Sequence, residues 1–262
     1  MIDKSGQIIK DYEYVEEYIP GSTSGNGDIK GEVVYVGYGI TAPELGYDDY
    51  ANVDVEGKIV LMEREAPLNP SHEDFLKWRP YTFHQYKLIN AHKHGAAGIL
   101  YNYQIANPNN AYVEDFIISH VGKQVVADVF KNTGFDHKEV VNEIDSLLKP
   151  KSFHTKKKFR IKNNSVRHSD GITSNLIGFI EGSDPELKDE FIIIGGHLDF
   201  LGKCYEIMPG ANDNASAVSI ILSLAKTLSK PEVELKRSVV FLMFGAEEAA
   251  IRGAQYFLKN PP

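Results

Sequence analysis

Cysteine is almost absent: Cys204 stands alone, so no internal disulfide can staple the fold, and cysteine usage leaves the redox compartment open. No run of about 18 apolar residues occurs, which is the length a helix needs to cross a bilayer, so no membrane span is expected. An excess of positive charge is also missing: 28 Lys and Arg stand against 36 Asp and Glu, for a formal charge of −8. A nucleic-acid surface needs clustered positive charge facing phosphates, so no nucleic-acid partner is expected. The start, Met1-Ile2-Asp3-Lys4-Ser5-Gly6, lacks the apolar core of a secretory signal. Internal repeats and low-complexity tracts are absent too. What is present is the balance of an ordinary globular protein, 42% apolar and 24% charged. The 262 residues suffice for one large domain or two modest ones.

Two regions differ in their grammar. Up to about residue 150, polar turn-rich sequence (Pro20 to Asp28) gives way to short β-like runs, Glu32–Gly37 and Lys58–Met62, punctuated by Asp54 and Gly57. Phe83–His94 reads as a helix closed by Gly95-Ala96-Ala97-Gly98, Ile99-Leu100-Tyr101 as a strand, and Lys123–Lys131 as a second helix. The lysine-rich stretch Lys149–Lys162 reads as a solvated strand or linker with alternating exposed charge, rather than as a site for an acidic partner. From Lys151 onward strands and helices alternate. Asn175–Ile180 is a strand, Glu190–Gly195 a near-continuous apolar run expected to be buried on both faces, Ala215–Ser229 a helix, and Ser238–Phe244 another buried strand. The expected fold class is α/β: a β-rich domain over 1–150, then an α/β domain over 151–262 with a mixed sheet covered by helices.

Three polar clusters interrupt the second region, each at a strand end or a helix start. They are Gly196-His197-Leu198-Asp199, Gly210-Ala211-Asn212-Asp213-Asn214-Ala215 and Gly245-Ala246-Glu247-Glu248-Ala249. In open α/β sheets ligands gather outside the carboxyl ends of strands, so the three can meet at one sheet edge. Their residue types suit a divalent metal: an imidazole from His197 and carboxylates from Asp213 and Glu248. In His197-x-Asp199, extended backbone points both side chains to one side, so Asp199 can take the proton on the ring nitrogen that does not face the metal. Of Glu247 and Glu248, one can ligate while the other faces substrate as a general base. Singly, each residue has a plain structural explanation: a satisfied histidine, a helix cap at Asp213, a solvated glutamate pair. Together, at equivalent topological positions, they point to a metal site. His84, His92 and His94 form another tempting group, but His92 and His94 are two apart and face different directions on a helix, so they read as ordinary helix residues.

The segments Ser174-Asn175-Leu176-Ile177-Gly178, Gly196-His197-Leu198-Asp199, Gly210–Ser216 and Gly245-Ala246-Glu247-Glu248 resemble, in order and spacing, successive motifs of the zinc aminopeptidases of the bacterial leucyl aminopeptidase type. That family also includes glutamate carboxypeptidase II and, without catalysis, the transferrin receptor. In the first region, Val36-Gly37-Tyr38-Gly39-Ile40, Tyr47-Asp48-Asp49-Tyr50, Gly57-Lys58-Ile59-Val60 and Gly95-Ala96-Ala97-Gly98 resemble the protease-associated (PA) domain that many of these enzymes carry as an insertion. The resemblance implies two co-catalytic Zn2+ ions per complete catalytic domain. It implies that His197 binds one ion, Asp213 bridges both, Glu248 binds the second, Glu247 is the general base and Asp199 orients His197. The substrate it implies is a peptide with a free N-terminus, hydrolysed at its first bond. The family's two further ligands, an aspartate and a histidine, come after the Glu-Glu motif and would fall beyond Pro262. The peptidase domain is therefore expected to be incomplete, the chain by itself a poor zinc binder, and its open sheet edges a route to self-association. A secreted, periplasmic or cell-surface location is expected by resemblance alone. The competing expectations are a non-catalytic interaction module on a degenerate peptidase scaffold and a zinc acyltransferase that cyclises N-terminal glutamine.

Overall fold

The computed structural model describes residues 1–104, 111–203 and 206–262, so Cys204 lies outside the described residues. Two compact units divide at Arg167 and His168, where the sequence reading placed a boundary at 150. The lysine-rich stretch explains the difference. It forms a strand, Phe153–Asn163, that pairs antiparallel with Gly27–Tyr35 of the first unit. Its Thr155 and Phe159 are buried, while His154, Lys156, Lys158, Arg160 and Lys162 face solvent. The charges line the wet face of an edge strand.

The first unit contains β1 (Tyr18–Pro20), β2 (Gly27–Tyr35), β3 (Thr41–Ala42), β4 (Tyr47–Asp48), β5 (Ile59–Glu63), α1 (Phe75–Thr82), α2 (His84–Lys93), β6 (Gly98–Asn102), β7 (Ile117–Val121), α3 (Lys123–Phe130), α4 (His137–Leu147) and β8 (Phe153–Asn163). Six strands form one sheet in the order β1-β7-β6-β5-β2-β8. The inner pairs are parallel and both outer pairs antiparallel. Alternation along the strands sends side chains to opposite faces and so builds two cores. Val33, Tyr35, Ile59 and Leu61 pack with Val125, Val126 and Val129 of α3 and with Val140 and Ile144 of α4. Val34, Val60, Met62 and Ile99 pack with Leu88 and Ala91 of α2. Every residue of β5 is buried, as expected of a central strand covered on both sides. α2 ends where Gly95 takes a left-handed φ of 80°, a conformation that side-chain-bearing residues rarely adopt. Sequence reading missed α4, although Asp136 caps it by accepting from the Glu139 N–H at 3.1 Å. The Asp-x-x-Glu spacing of a capping pattern was there to be seen.

The second unit contains β9 (Leu176–Ile180), β10 (Phe191–His197), β11 (Gly202–Lys203), β12 (Ile207–Met208), α5 (Ser216–Leu228), β13 (Ser238–Phe244) and α6 (Arg252–Lys259). Its main sheet has the order β10-β13-β9, with β10 parallel and β9 antiparallel to β13. α5 covers one face: Ile221, Ala225 and Leu228 cluster with Val239, Phe241 and Met243 of β13. The expectation that residues 190–195 are buried on both faces does not hold among the described residues. Phe191, Ile192 and Ile193 are 57%, 49% and 56% exposed, because β10 is an edge strand, and it is β13 that takes the buried central place. No helix among the described residues is long and apolar enough to cross a membrane.

Candidate metal centre

The parallel pairing of β10 and β13 brings the first and third polar clusters together. The register runs from Phe191 opposite Ser238 to His197 opposite Phe244, so both strands end level. Leu198 extends the ladder by donating to the Phe244 carbonyl at 2.8 Å. His197 is thus the last residue of its strand, and Glu247 and Glu248 lie in the turn that follows the neighbouring strand. The second cluster reaches the same edge from the start of α5: Asp213 sits in the turn Ala211–Ala215 that leads into the helix. Gly196 permits this approach, since a Cβ there would meet the Asn214 side chain and Ile221, each at 3.2 Å.

The His197 ring is held from both sides. Its Nδ1 lies 2.8 Å from the main-chain carbonyl oxygen of Asp199, and its Nε2 lies 3.0 Å from Asp213 Oδ1 and 4.0 Å from Glu247 Oε2. A carbonyl oxygen can only accept, so Nδ1 carries the proton and Nε2 turns towards the carboxylates. One donor atom each from His197, Glu247 and Glu248 lies within 4.8 Å of the others, the one such group of three among the described residues. Burial acts to lower the His197 pKa, but the Asp199 carbonyl and the charges of Glu247, Asp213 and Asp199 outweigh it and hold the group above its ordinary value. Burial raises the Glu248 pKa, and the neighbouring charges of Glu247, Asp213 and Asp199 add to that. Carboxylates gathered this closely repel one another until a cation or proton compensates them.

The Asp199 carboxylate makes its hydrogen bonds away from the His197 ring. It lies 3.9 Å from His197 Nδ1 and is occupied elsewhere. Oδ1 accepts the Glu247 N–H at 3.0 Å and Oδ2 accepts the Glu248 N–H at 3.1 Å. The residue therefore orients His197 through its main chain and the Glu-Glu turn through its side chain. The turn needs such support, because Ala246, Ala250 and Ile251 all take left-handed φ values of 52°, 72° and 50°.

His84, His92 and His94 do not share a site. His84 Nδ1 lies 2.7 Å from the Tyr101 hydroxyl, His94 stacks on Tyr50 and meets Thr41, and the exposed His92 packs edge-on against Phe116.

Comparison with known proteins finds matches in both parts of the chain. Residues 29–128 match the PA domain and residues 175–262 match peptidase family M28. Over 227 residues, 85% of this chain, the sequence is 25% identical to Aminopeptidase YwaD of Bacillus subtilis (strain 168), of which it covers 40%. Over 88 residues, 34% of the chain, it is 33% identical to a probable leucine aminopeptidase 2 of Aspergillus oryzae, covering 16% of that protein. Among solved structures, its fold is similar to that of an aminopeptidase from Aneurinibacillus sp. strain AM-1, with a TM-score of 0.50 and 22% identity over 93% of this chain and 52% of that one. The chain thus spans less than two thirds of the length of each of these relatives. The chain therefore carries a PA-domain match in residues 29–128 and a peptidase family M28 match in residues 175–262, each over less than half of its length.

Proposed function

We propose that this chain belongs to a metallo-aminopeptidase that hydrolyses N-terminal peptide bonds with two co-catalytic zinc ions. In this reading His197, Asp213 and Glu248 are ligands, Glu247 is the general base and Asp199 positions the groups around it. The observation that carries the proposal is the convergence of His197, Glu247 and Glu248 within 4.8 Å at the carboxyl end of a parallel strand pair, with Asp213 Oδ1 3.0 Å from His197 Nε2. The donor set fits zinc, which takes imidazole nitrogen and carboxylate oxygen. Glu248 fits a ligand role in particular, since a divalent cation would relieve the burial and like charge that work against its ionised form.

Zinc bound here would supply Lewis-acid polarisation of the peptide carbonyl and activation of water. The chain's own residues do the rest. His197 presents Nε2 because the Asp199 carbonyl holds Nδ1. Glu247, 4.0 Å from that nitrogen, is positioned to accept the proton of the attacking water and return it to the leaving amine. As the resemblance implies, the enzyme would act on peptides outside the cytoplasm.

Competition with a chromophoric chelator tests the ligand set. A version extended beyond Pro262 should bind zinc more tightly than this chain, and His197→Ala or Glu248→Gln should weaken binding by about tenfold or more. Loss of amino-acid anilide hydrolysis in Glu247→Gln with zinc retained would support the general base. Zinc held by neither this chain nor a version extended beyond Pro262 would overturn the reading.

A further inference from the structure

The turn that carries Glu247 and Glu248 is clamped at its base by a residue from a different strand entry. Asn175, directly before β9, uses both ends of its carboxamide: Oδ1 accepts the Gly245 N–H at 3.2 Å and Nδ2 donates to the Gly253 carbonyl at 2.8 Å. Gly245 follows β13 and Gly253 lies in the first turn of α6, so this one side chain ties the two ends of the 245–253 segment together. The ends are in backbone contact. A Cβ at Gly253 would lie 2.2 Å from the Gly245 carbonyl oxygen and 2.5 Å from Asn175 Oδ1, so glycine is what lets the segment close. Inside it, Arg252 donates to the Ala246 carbonyl at 2.9 Å, and the left-handed Ala246, Ala250 and Ile251 store backbone strain.

We propose that Asn175 is a positioning residue for the metal centre: its carboxamide holds the 245–253 turn in the closed form that directs Glu247 and Glu248 at His197. The chemistry of the side chain is specific. An N–H must be accepted and a carbonyl must be satisfied from one short side chain. Aspartate offers no donor to the Gly253 carbonyl, alanine offers nothing, and glutamine is one methylene too long for the same span. Asp199 grips the middle of the turn through the Glu247 and Glu248 amides, and Asn175 grips its ends. The proposal rests on the reading of Glu247 and Glu248 as catalytic and metal-binding groups. It adds a residue that touches neither metal nor substrate.

The test compares the whole chain with Asn175→Ala and Asn175→Asp. The first readout, without metal, is amide hydrogen exchange in 245–253 together with the ring-proton NMR signals of His197. The second is zinc affinity by chelator competition. The expected result for Asn175→Ala is exchange about tenfold faster at Gly245, Glu247 and Glu248, with β13 amides unchanged, shifted His197 ring signals, and zinc bound about tenfold more weakly. Asn175→Asp, which keeps the acceptor alone, should fall between. Unchanged exchange and His197 signals would overturn the clamp. Faster exchange with unchanged His197 signals and zinc affinity would show a purely structural bond and also overturn the proposal. If neither this chain nor a version extended beyond Pro262 binds zinc while exchange and ring signals respond as expected, the clamp stands and the zinc reading falls.

Discussion

Asp199→Ala separates two ways of building this centre. The side chain accepts two main-chain N–H groups, from Glu247 and Glu248 at 3.0 and 3.1 Å, and it is 28% exposed. A hydrogen bond to a charged group is worth about 1.5–3 kcal/mol, and partial exposure discounts the pair to about 2–4 kcal/mol in total. Truncation to alanine should destabilise the second unit by that amount. Asp199→Asn, which keeps one acceptor oxygen, should lose about half as much. In both variants the Asp199 main-chain carbonyl still receives His197 Nδ1, so the ring keeps its tautomer. The single tryptophan, Trp78, lies in the first unit, so fluorescence is blind to this change. The assay is therefore hydrogen exchange of the slowest second-unit amides, read as an opening free energy, alongside ring 15N shifts of His197. A loss below about 1 kcal/mol in Asp199→Ala, on the scale of one ordinary neutral hydrogen bond, would refute the reasoning. So would a tautomer change at His197, because that is what a carboxylate acting directly on the ring predicts.

Other expectations follow from the same structure. Burial pushes the pKa values of His84 and His120 down to about 4, so both stay neutral in the folded first unit at pH 7. Their contribution is fully present above their unfolded value near 6.5 and is lost as pH falls through 4, roughly 2–3 kcal/mol for each. The urea midpoint read from Trp78 should therefore drop between pH 7 and 4.5, and a flat profile would sink the idea. Phe241→Ala, in the small core under α5, should cost about 3–5 kcal/mol in second-unit hydrogen exchange and leave the Trp78 transition unmoved. Gly253→Ala puts a methyl 2.2 Å from the Gly245 carbonyl, so it should open the turn and weaken zinc binding as Asn175→Ala does; unchanged affinity would show that the closure is dispensable. The edge strands β9 and β10 expose Ile177 and Ile193, so the chain should self-associate in sedimentation, and Ile193→Lys should shift it towards monomer.

The sequence by itself determined the residue types of the centre and where each sits along the chain. An apolar run ending in Gly-His-x-Asp, a Gly-Ala-Asn-Asp-Asn before a helix and a Gly-Ala-Glu-Glu after a second apolar run place His197, Asp213, Glu247 and Glu248 at strand and helix ends, because hydrophobic periodicity is local and legible. The same periodicity gave α2, α3 and α5 to within a residue or two of their observed ends. Tertiary structure decided what periodicity cannot carry. Whether an apolar strand is central or at an edge depends on its neighbours, so Ile192 and Ile193 look like core in the sequence and are half exposed in the fold. Whether lysines mark a linker or the wet face of a strand depends on a partner more than a hundred residues away, Gly27–Tyr35 for Phe153–Asn163. Asp199 and Asn175 were both visible as motif residues, but a spacing of two residues cannot say that a carboxylate passes over the ring beside it to bind amides at Glu247 and Glu248. That choice is made by the parallel pairing of β10 with β13, which sets the ends of two distant segments side by side.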